Sequence, residues 1–342
     1  MEESVSIHIV TYNAARTILA CLDAIAEQSR PPEEIIVIDN NSSDDSASIV
    51  EQASRPLRLI RNNKNTGYSA AHNQAIEMTK TRFVLLLNPD VVLTPHFLRR
   101  MLEAAAVHER IGAVSGKLLR LPPGDESLPG KKNIIDSTGM YMTPNQRHLD
   151  RGSGEEDRGQ YETMEYVFGA SGAAPLFRRE ALEDLRVGGE YFDEDFFCYR
   201  EDADLAWRAQ LFGWRTLYTP RAVAYHARRV LPENRRELPR ELNMHSVKNR
   251  FLLRLKNQTL KAALPFLAPM LFRDLQLLVY VLLFERSSIE GLIYVCRNFR
   301  RISEKRRIIM EKRNIPDRDI IRWFRERSRP SAEAPPRPRR TG

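Results

Sequence analysis

Within the first ninety residues four short apolar runs alternate with helix-sized stretches, and this alternation restricts the fold more than any other feature of the chain. The runs are Val5–Val10, Glu34–Asp39, Pro56–Arg61 and Arg82–Leu87. Each is rich in β-branched residues or leucine and ends in a polar cluster, as short buried strands do. Between them, Asn13 is placed to cap a helix over Ala14–Glu27, the Asn40–Ser46 cluster to cap one over Ser46–Ser54, and Tyr68–Thr79 supplies a third. Connections this short require right-handed crossovers, so the expectation is an α/β fold with a mostly parallel central sheet and helices on both faces.

After a further helix over Pro95–His108, the pattern loosens across Ile111–Leu121, and Pro122–Lys132 and Arg147–Gln160 read as loops. Order returns with a strand over Met164–Ala170 and a short helix over Arg178–Asp184. The second half of FDEDFFCYREDADLAWRAQLFGWR is a helix with Asp202, Leu205, Ala209 and Phe212 on one face and Gly213 as its stop. Strands over Arg215–Thr219 and Ala222–His226 complete a first domain, residues 1–226.

The rest changes character. From Ala227 to Gly342 there are 28 Lys and Arg against 12 Asp and Glu, net +16, while the preceding part carries net −8. Such a basic segment suits phosphates of nucleic acid or of anionic lipid. Its cations alternate with long aliphatic stretches and lack the aromatic platforms of single-strand binders, which favours an anionic membrane surface over nucleic acid. Ala262–Phe284 is apolar except for Arg273, Asp274 and Gln276, and it carries Pro265 and Pro269. Its longest uncharged, proline-free run, Leu275–Phe284, is about half of the roughly 20 residues that cross a bilayer. Residues 227–326 therefore read as a basic helical extension lying in the membrane interface, and 327–342 as a disordered Pro- and Arg-rich tail. The three dispersed cysteines suggest neither disulfides nor a zinc site, and the acidic MEESVSIHIV start does not resemble a signal peptide. The expected location is cytoplasmic, peripheral at the inner face of the cell membrane.

In such a sheet the C-terminal strand ends open onto one crevice. Thr11-Tyr12-Asn13, Asp39-Asn40-Asn41-Ser42 and Asn88-Pro89-Asp90 lie at three of those ends. Neither G-x-G-x-x-G nor the P-loop pattern occurs, so a nucleotide there needs another anion holder, and a divalent cation on Asp90 would serve.

The segments IVTYN, VIDNNSSDDS, NNKNTGYSAAHNQAI, LLLNPDVVL, GASGAAPLFRREAL, FDEDFFCYREDADLAWRAQLFGWR and YHARR resemble, in order, the motifs of family 2 glycosyltransferases, especially the rhamnosyltransferase-like branch. The resemblance implies a GT-A fold, a nucleotide-diphosphate sugar donor linked to dTDP or UDP, and inverting displacement with Mg2+ or Mn2+. Asp39 resembles the acid that accepts the N3–H of uracil or thymine, with Thr11, Tyr12 and Asn13 lining the nucleotide pocket. Asn88-Pro89-Asp90 resembles the D-x-D metal motif with Asn first, and His226 the histidine completing the metal site. Glu201-Asp202 resembles the pair whose Asp is the catalytic base. Asn65, Gly67 and Asn73 match the donor-side loop and helix, and Gly169, Ala170 and Ser171 a strand end approaching the acceptor. Arg228 and Arg229 are placed to reach a diphosphate. A deoxythymidine-diphosphate rhamnose donor and a glycan or lipid-linked acceptor in cell-surface polysaccharide synthesis are what the resemblance implies. A non-catalytic nucleotide-sugar scaffold of the same fold is the rival class.

Overall fold

A computed structural model describes residues 3–53, 56–121, 133–228 and 240–330. The chain starts as the alternation requires: β1 (Val5–Thr11), α1 (Ile18–Ala26), β2 (Glu34–Asp39), α2 (Ser46–Gln52), β3 (Arg58–Arg61), α3 (Gly67–Glu77) and β4 (Phe83–Leu87). β1 lies between β2 and β4, parallel to both, with Thr11 opposite Asp39 at their C-terminal edge. α1 forms because Ile18, Cys21, Leu22 and Ile25 recur on one buried face. It begins later than an Asn13 cap would place it, because Asn13 takes φ +53° and the chain turns through residues 15–17 first. β3, expected to be buried, is the half-exposed outer strand.

There follow β5 (Val91–Leu93), α4 (Phe97–Ala105), β6 (Ile111–Arg120), β7 (Ile135–Ser137), the hairpin of β8 (Met140–Met142) and β9 (His148–Asp150), β10 (Glu165–Val167), β11 (Leu176–Arg178), α5 (Arg179–Leu185), α6 (Glu201–Phe212) and β12 (Arg215–His226). The sheet runs β10-β12-β6-β11-β4-β1-β2-β3. It is mixed rather than all parallel, since β11 runs antiparallel to both β4 and β6. The loosened stretch Ile111–Leu121 holds β6, a ten-residue strand in the middle of the sheet. Its periodicity is broken by glycines that packing demands: a Cβ on Gly112 would sit 2.9 Å from Ala181 Cβ, and one on Gly116 2.7 Å from the Ala222 carbonyl. The loop read over Arg147–Gln160 contains β9 and the buried Arg151, while Pro122–Lys132 lies outside the described residues.

The two strands expected over 215–226 are one, β12, irregular between Tyr218 and Val223 where it passes Pro220. Beyond that irregularity β12 also pairs with β5, setting His226 opposite Val91 and thus beside Asp90.

The C-terminal region comprises α7 (Arg240–Asn257), α8 (Leu260–Ala263), α9 (Leu267–Phe284), α10 (Ile289–Arg297), α11 (Phe299–Lys312), α12 (Asp317–Trp323) and a strand β13 (Arg329–Pro330). Several of these cations turn inward to the acidic first domain rather than out toward phosphates. Lys256 on α7 pairs with Asp193 and with Asp204 at 3.1 Å, and Lys305 on α11 pairs with Glu190 and Asp193, each at 2.8 Å, and with Asp195 at 3.3 Å. Burial alone would raise the pKa of Asp193, but the two ammonium groups outweigh it and hold the carboxyl well below its usual range. The tail expected from Arg327 is ordered through β13, which adds antiparallel to β10 with Arg329 buried.

One part of the extension does face outward. Leu260–Phe284 is helical enough, long enough and apolar enough to cross a membrane by length and composition, more continuous than its prolines suggest. Leu271, Phe272, Leu275, Leu282, Leu283 and Phe284 are all exposed, while Asp274 on the same helix is tied to Arg250 at 3.0 Å and Arg254 at 2.6 Å on α7.

Candidate active site

The ends of β1 and β2 carry two buried oxygens that the protein does not satisfy. Asp39 is 4% exposed; its Oδ2 accepts the Ser42 N–H at 3.2 Å, but Oδ1 has no partner, and neither has Thr11 Oγ1. An unmet buried acceptor costs roughly 1–3 kcal/mol, which a ligand donor seated there would recover. Tyr12, beside them, is 51% exposed. Asn13, rather than capping α1, joins two loops: its Oδ1 accepts the Ser43 N–H at 2.8 Å, and its N–H donates to Ser42 Oγ at 3.0 Å.

Asn40 organises the neighbouring loop. Its amide donates to Asn65 Oδ1 at 2.9 Å, and its Oδ1 accepts from Thr66 N–H and Asn62 Nδ2, each at 3.1 Å. Asn65 in turn accepts the Gly67 N–H at 2.9 Å, so it holds the loop. Gly67 takes φ +83°, and a Cβ there would come within 2.5 Å of the Phe197 ring. Asn73 departs from its donor-side expectation: it is buried, and its amide is spent on the Phe192 backbone, 2.8 Å from both N–H and carbonyl, and on Glu194 at 3.1 Å.

At the end of β4, Asn88-Pro89-Asp90 turns into β5, and the Ala227 N–H donates to the Asp90 carbonyl at 2.9 Å. His226 Nε2 lies 3.4 Å from Asp90 Oδ1, an oxygen with no hydrogen-bond partner, and His226 Nδ1 lies 2.8 Å from Asp136 Oδ2 on β7. Burial would lower the histidine's pKa, but Asp136 and Asp90 outweigh burial and lift it to about 9. Asp136 fixes one ring nitrogen and leaves the other facing a free carboxylate oxygen, the arrangement in which a cation replaces a proton. Among the described residues no group of three His, Cys, Asp or Glu side chains could hold a metal. Two protein ligands suit an ion whose remaining positions go to phosphate oxygens and water. Arg228, expected to reach a diphosphate, instead joins Asp136 Oδ1 and Asp150 Oδ2, both at 3.1 Å. Arg229 lies outside the described residues.

The third part is α6, on which Asp202 is the one residue that is not buried. Its Oδ2 accepts the Gly172 N–H at 3.1 Å and its Oδ1 the Ala203 N–H at 2.7 Å. Its surroundings lift its pKa from 3.8 to about 6: desolvation first, then the charge of Asp150, against those two N–H groups. One residue away, the Asn88 N–H donates to the Ala173 carbonyl at 2.8 Å, so the strand end that seats Asp202 also braces the turn bearing Asp90.

Glu201 does not share Asp202's position. It is 7% exposed, its Oε2 has no partner, and burial plus the adjacent Asp202 charge hold its carboxyl well above the usual range. Gly169 is explained by packing rather than by an acceptor: a Cβ there would lie 2.4 Å from Ala206 Cβ on α6. Ala170 is buried, and Ser171 is the member of that trio left partly exposed. Asp136 and Asp150 escaped sequence reasoning because single acids in a loosely patterned stretch carry no local signal. Tyr68, next to Gly67 in the donor-side loop, donates its hydroxyl to the Gly172 carbonyl at 2.8 Å.

The sequence pattern described as "Glycosyl transferase family 2" matches residues 6–186. An N-acetylglucosaminyl-diphospho-decaprenol L-rhamnosyltransferase of Mycobacterium tuberculosis is 32% identical over 187 residues, which cover 50% of this chain and 58% of that protein. The chain thus spans little more than half the length of this relative. Staphylococcus aureus TarS 1-349 in complex with UDP-GlcNAc superposes with TM-score 0.53 and 17% identity, over 94% of this chain and 89% of that one. GalNAc-T7 with UDP, GalNAc and Mn2+ superposes with TM-score 0.56 and 12% identity, over 74% and 48%. At these identities the structural likeness establishes the GT-A fold.

Proposed function

Since the chain belongs to glycosyl transferase family 2, we propose that it moves a sugar from a nucleoside-diphosphate donor to an acceptor hydroxyl with inversion at the anomeric carbon. The observation that carries this reading is Asp202, the one half-buried carboxylate of an otherwise buried helix, poised to be ionised at neutral pH and braced against the turn that bears Asp90. Asp202 accepts the acceptor's hydroxyl proton as that oxygen bonds to the anomeric carbon, and the bond to the diphosphate breaks with its electron pair leaving on phosphate oxygen. Asp90 and His226 would hold a divalent cation, Mg2+ or Mn2+, which when bound would supply positive charge beside the diphosphate. Asp136 keeps His226 oriented for that task.

On the donor side, the unpaired Oδ1 of Asp39 receives the N3–H of uracil or thymine, since an ionised carboxylate only accepts hydrogen bonds. Thr11, Tyr12 and Asn13 line the pocket, and Asn88 and the Asn65–Gly67 loop flank it. Glu201 and Asn73 shape the site from behind rather than touching substrate. The mycobacterial relative is an L-rhamnosyltransferase acting on N-acetylglucosaminyl-diphospho-decaprenol, which supports dTDP-rhamnose as donor and a lipid-linked glycan as acceptor. Nucleoside diphosphate release measured over a panel of sugar donors is expected to be fastest with dTDP-rhamnose. Absence of turnover with every thymidine and uridine donor would overturn the reading.

A lipid-linked acceptor places the enzyme at a membrane, and the outward face of α9 supports attachment at its cytoplasmic surface. The exposed Lys261 and Arg286 precede and follow α9 along the chain, as cations do in helices seated among anionic headgroups. Phe272→Asp and Leu283→Asp alter fully outward positions, so folding is expected to persist. Each is expected to weaken sedimentation with anionic liposomes by roughly tenfold or more, from the apolar area it withholds. Unchanged retention of both variants would remove the membrane assignment.

A further inference from the structure

The segment that leads into α6 is strained in a way its own sequence does not explain. Phe197, Tyr199 and Arg200 all take positive φ, at +63°, +66° and +71°, and none is glycine. Phe197 is the centre of a γ-turn, with ψ −67° and the Cys198 N–H donating to the Phe196 carbonyl at 2.7 Å. This positive-φ form of the turn is rare and costly. Three such residues within four positions persist only where surrounding structure over-determines them. Arg200, the last of them, is the residue from which α6 starts, so this segment sets the direction in which Glu201 and Asp202 emerge.

The over-determination comes from α7. Asn249, wholly buried, points its amide nitrogen at three carbonyls of the segment: Phe196 at 2.8 Å, Cys198 at 2.8 Å and Tyr199 at 2.7 Å. One NH2 has two protons, so the three carbonyls gathered around it share them, the Phe196 carbonyl also accepting the Cys198 N–H. One turn earlier on the same face, His245 stacks on the Phe197 ring with centroids 4.7 Å apart and planes 10° apart. Two turns later, Lys256 reaches Asp193 and Asp204. On its other side the segment meets the donor-side helix, where the Ser69 N–H donates to the Phe197 carbonyl at 3.2 Å and Gly67 leaves room for the Phe197 ring.

We propose that Asn249 is a positioning residue for the transfer reaction: from the C-terminal extension it clamps the Phe196–Tyr199 carbonyls, and thereby fixes the start of α6 and the aim of the Asp202 carboxylate. The proposal rests on reading Asp202 as the base. It makes the extension part of the catalytic apparatus, with α7 a strut between the outward-facing α9, through Asp274, and the turn before the base.

The test uses the full chain. Asn249→Ala deletes the amide, and Asn249→Leu keeps its approximate volume while removing every proton it can donate. Both are expected to lower kcat by about 10²-fold, the scale of an ångström-sized misplacement, while donor KM and directly measured donor Kd move less than about threefold. Deuterium exchange is expected to speed at least tenfold across residues 197–203 and to stay unchanged in β1 and β4. Should either variant fail to fold, Asn249→Ser, a smaller donor, is read by the same two measurements. Wild-type kcat with unchanged exchange in 197–203 would overturn the proposal, and so would faster exchange throughout the sheet with equal losses in kcat and donor affinity. The exchange result judges the clamp even if Asp202→Asn proves fully active, which would strike the base assignment alone.

Discussion

Asp202→Asn is expected to reduce kcat by roughly 10²- to 10⁴-fold, the range over which a positioned general base contributes, while donor Kd changes less than about twofold. Asparagine preserves the side chain's volume and can still accept the Gly172 N–H through its oxygen, so proton acceptance is lost together with the one bond from the Ala203 N–H to the other oxygen. The pH profile supplies an independent check. Only the ionised carboxylate accepts a proton, and burial together with Asp150 raises its pKa from 3.8 to about 6. Activity of the unmodified enzyme is therefore expected to fall tenfold per unit below about pH 6, whereas an unshifted carboxylate would sustain it to about pH 4. A variant retaining the unmodified rate, or an acid limb near pH 4, would remove Asp202 from the role of base.

Asp90→Asn is expected to lower kcat/KM by about 10³-fold, because the cation's contribution to the leaving diphosphate amounts to several kcal/mol. The residue remains a turn former, and the Ala227 N–H bonds only its backbone carbonyl, so the fold has little to lose. The metal concentration for half-maximal turnover should rise, and chelation should abolish activity in the unmodified enzyme. Donor affinity should fall in the same titration, unlike in Asp202→Asn. This contrast separates the two roles, and undiminished turnover in excess chelator would refute the metal assignment.

How far the sequence alone reaches depends on the range of the interaction in question. β1, β2 and β4 are legible because a parallel strand buried on both faces is a continuous run of Ile, Val and Leu, and the crossover rule then places their polar ends on one edge. β6 is not, because Gly112 and Gly116 admit Ala181 and the Ala222 carbonyl and so interrupt the periodicity. β12 reads as two strands because Pro220 divides it, although that division is where the strand changes register and gains β5 as a neighbour. The same limit applies to charge: the sequence counts the cations of the extension, but it does not state that Lys256 and Lys305 face Asp193.

The sequence by itself determined the α/β class and placed Thr11, Asp39, Asp90 and Asp202 at element ends, since local periodicity records which face of each element meets the core. Tertiary structure alone decided that Asp136 steadies His226, that Asp150 raises the pKa of Asp202, that Glu201 is buried out of reach, and that Asn249 holds the turn before the base. Those relations join residues between 50 and 90 positions apart or differ by one step around a helix. Only the folded path of the chain sets such distances, and at a few ångströms in a poorly solvated interior they decide which groups carry charge and where they point.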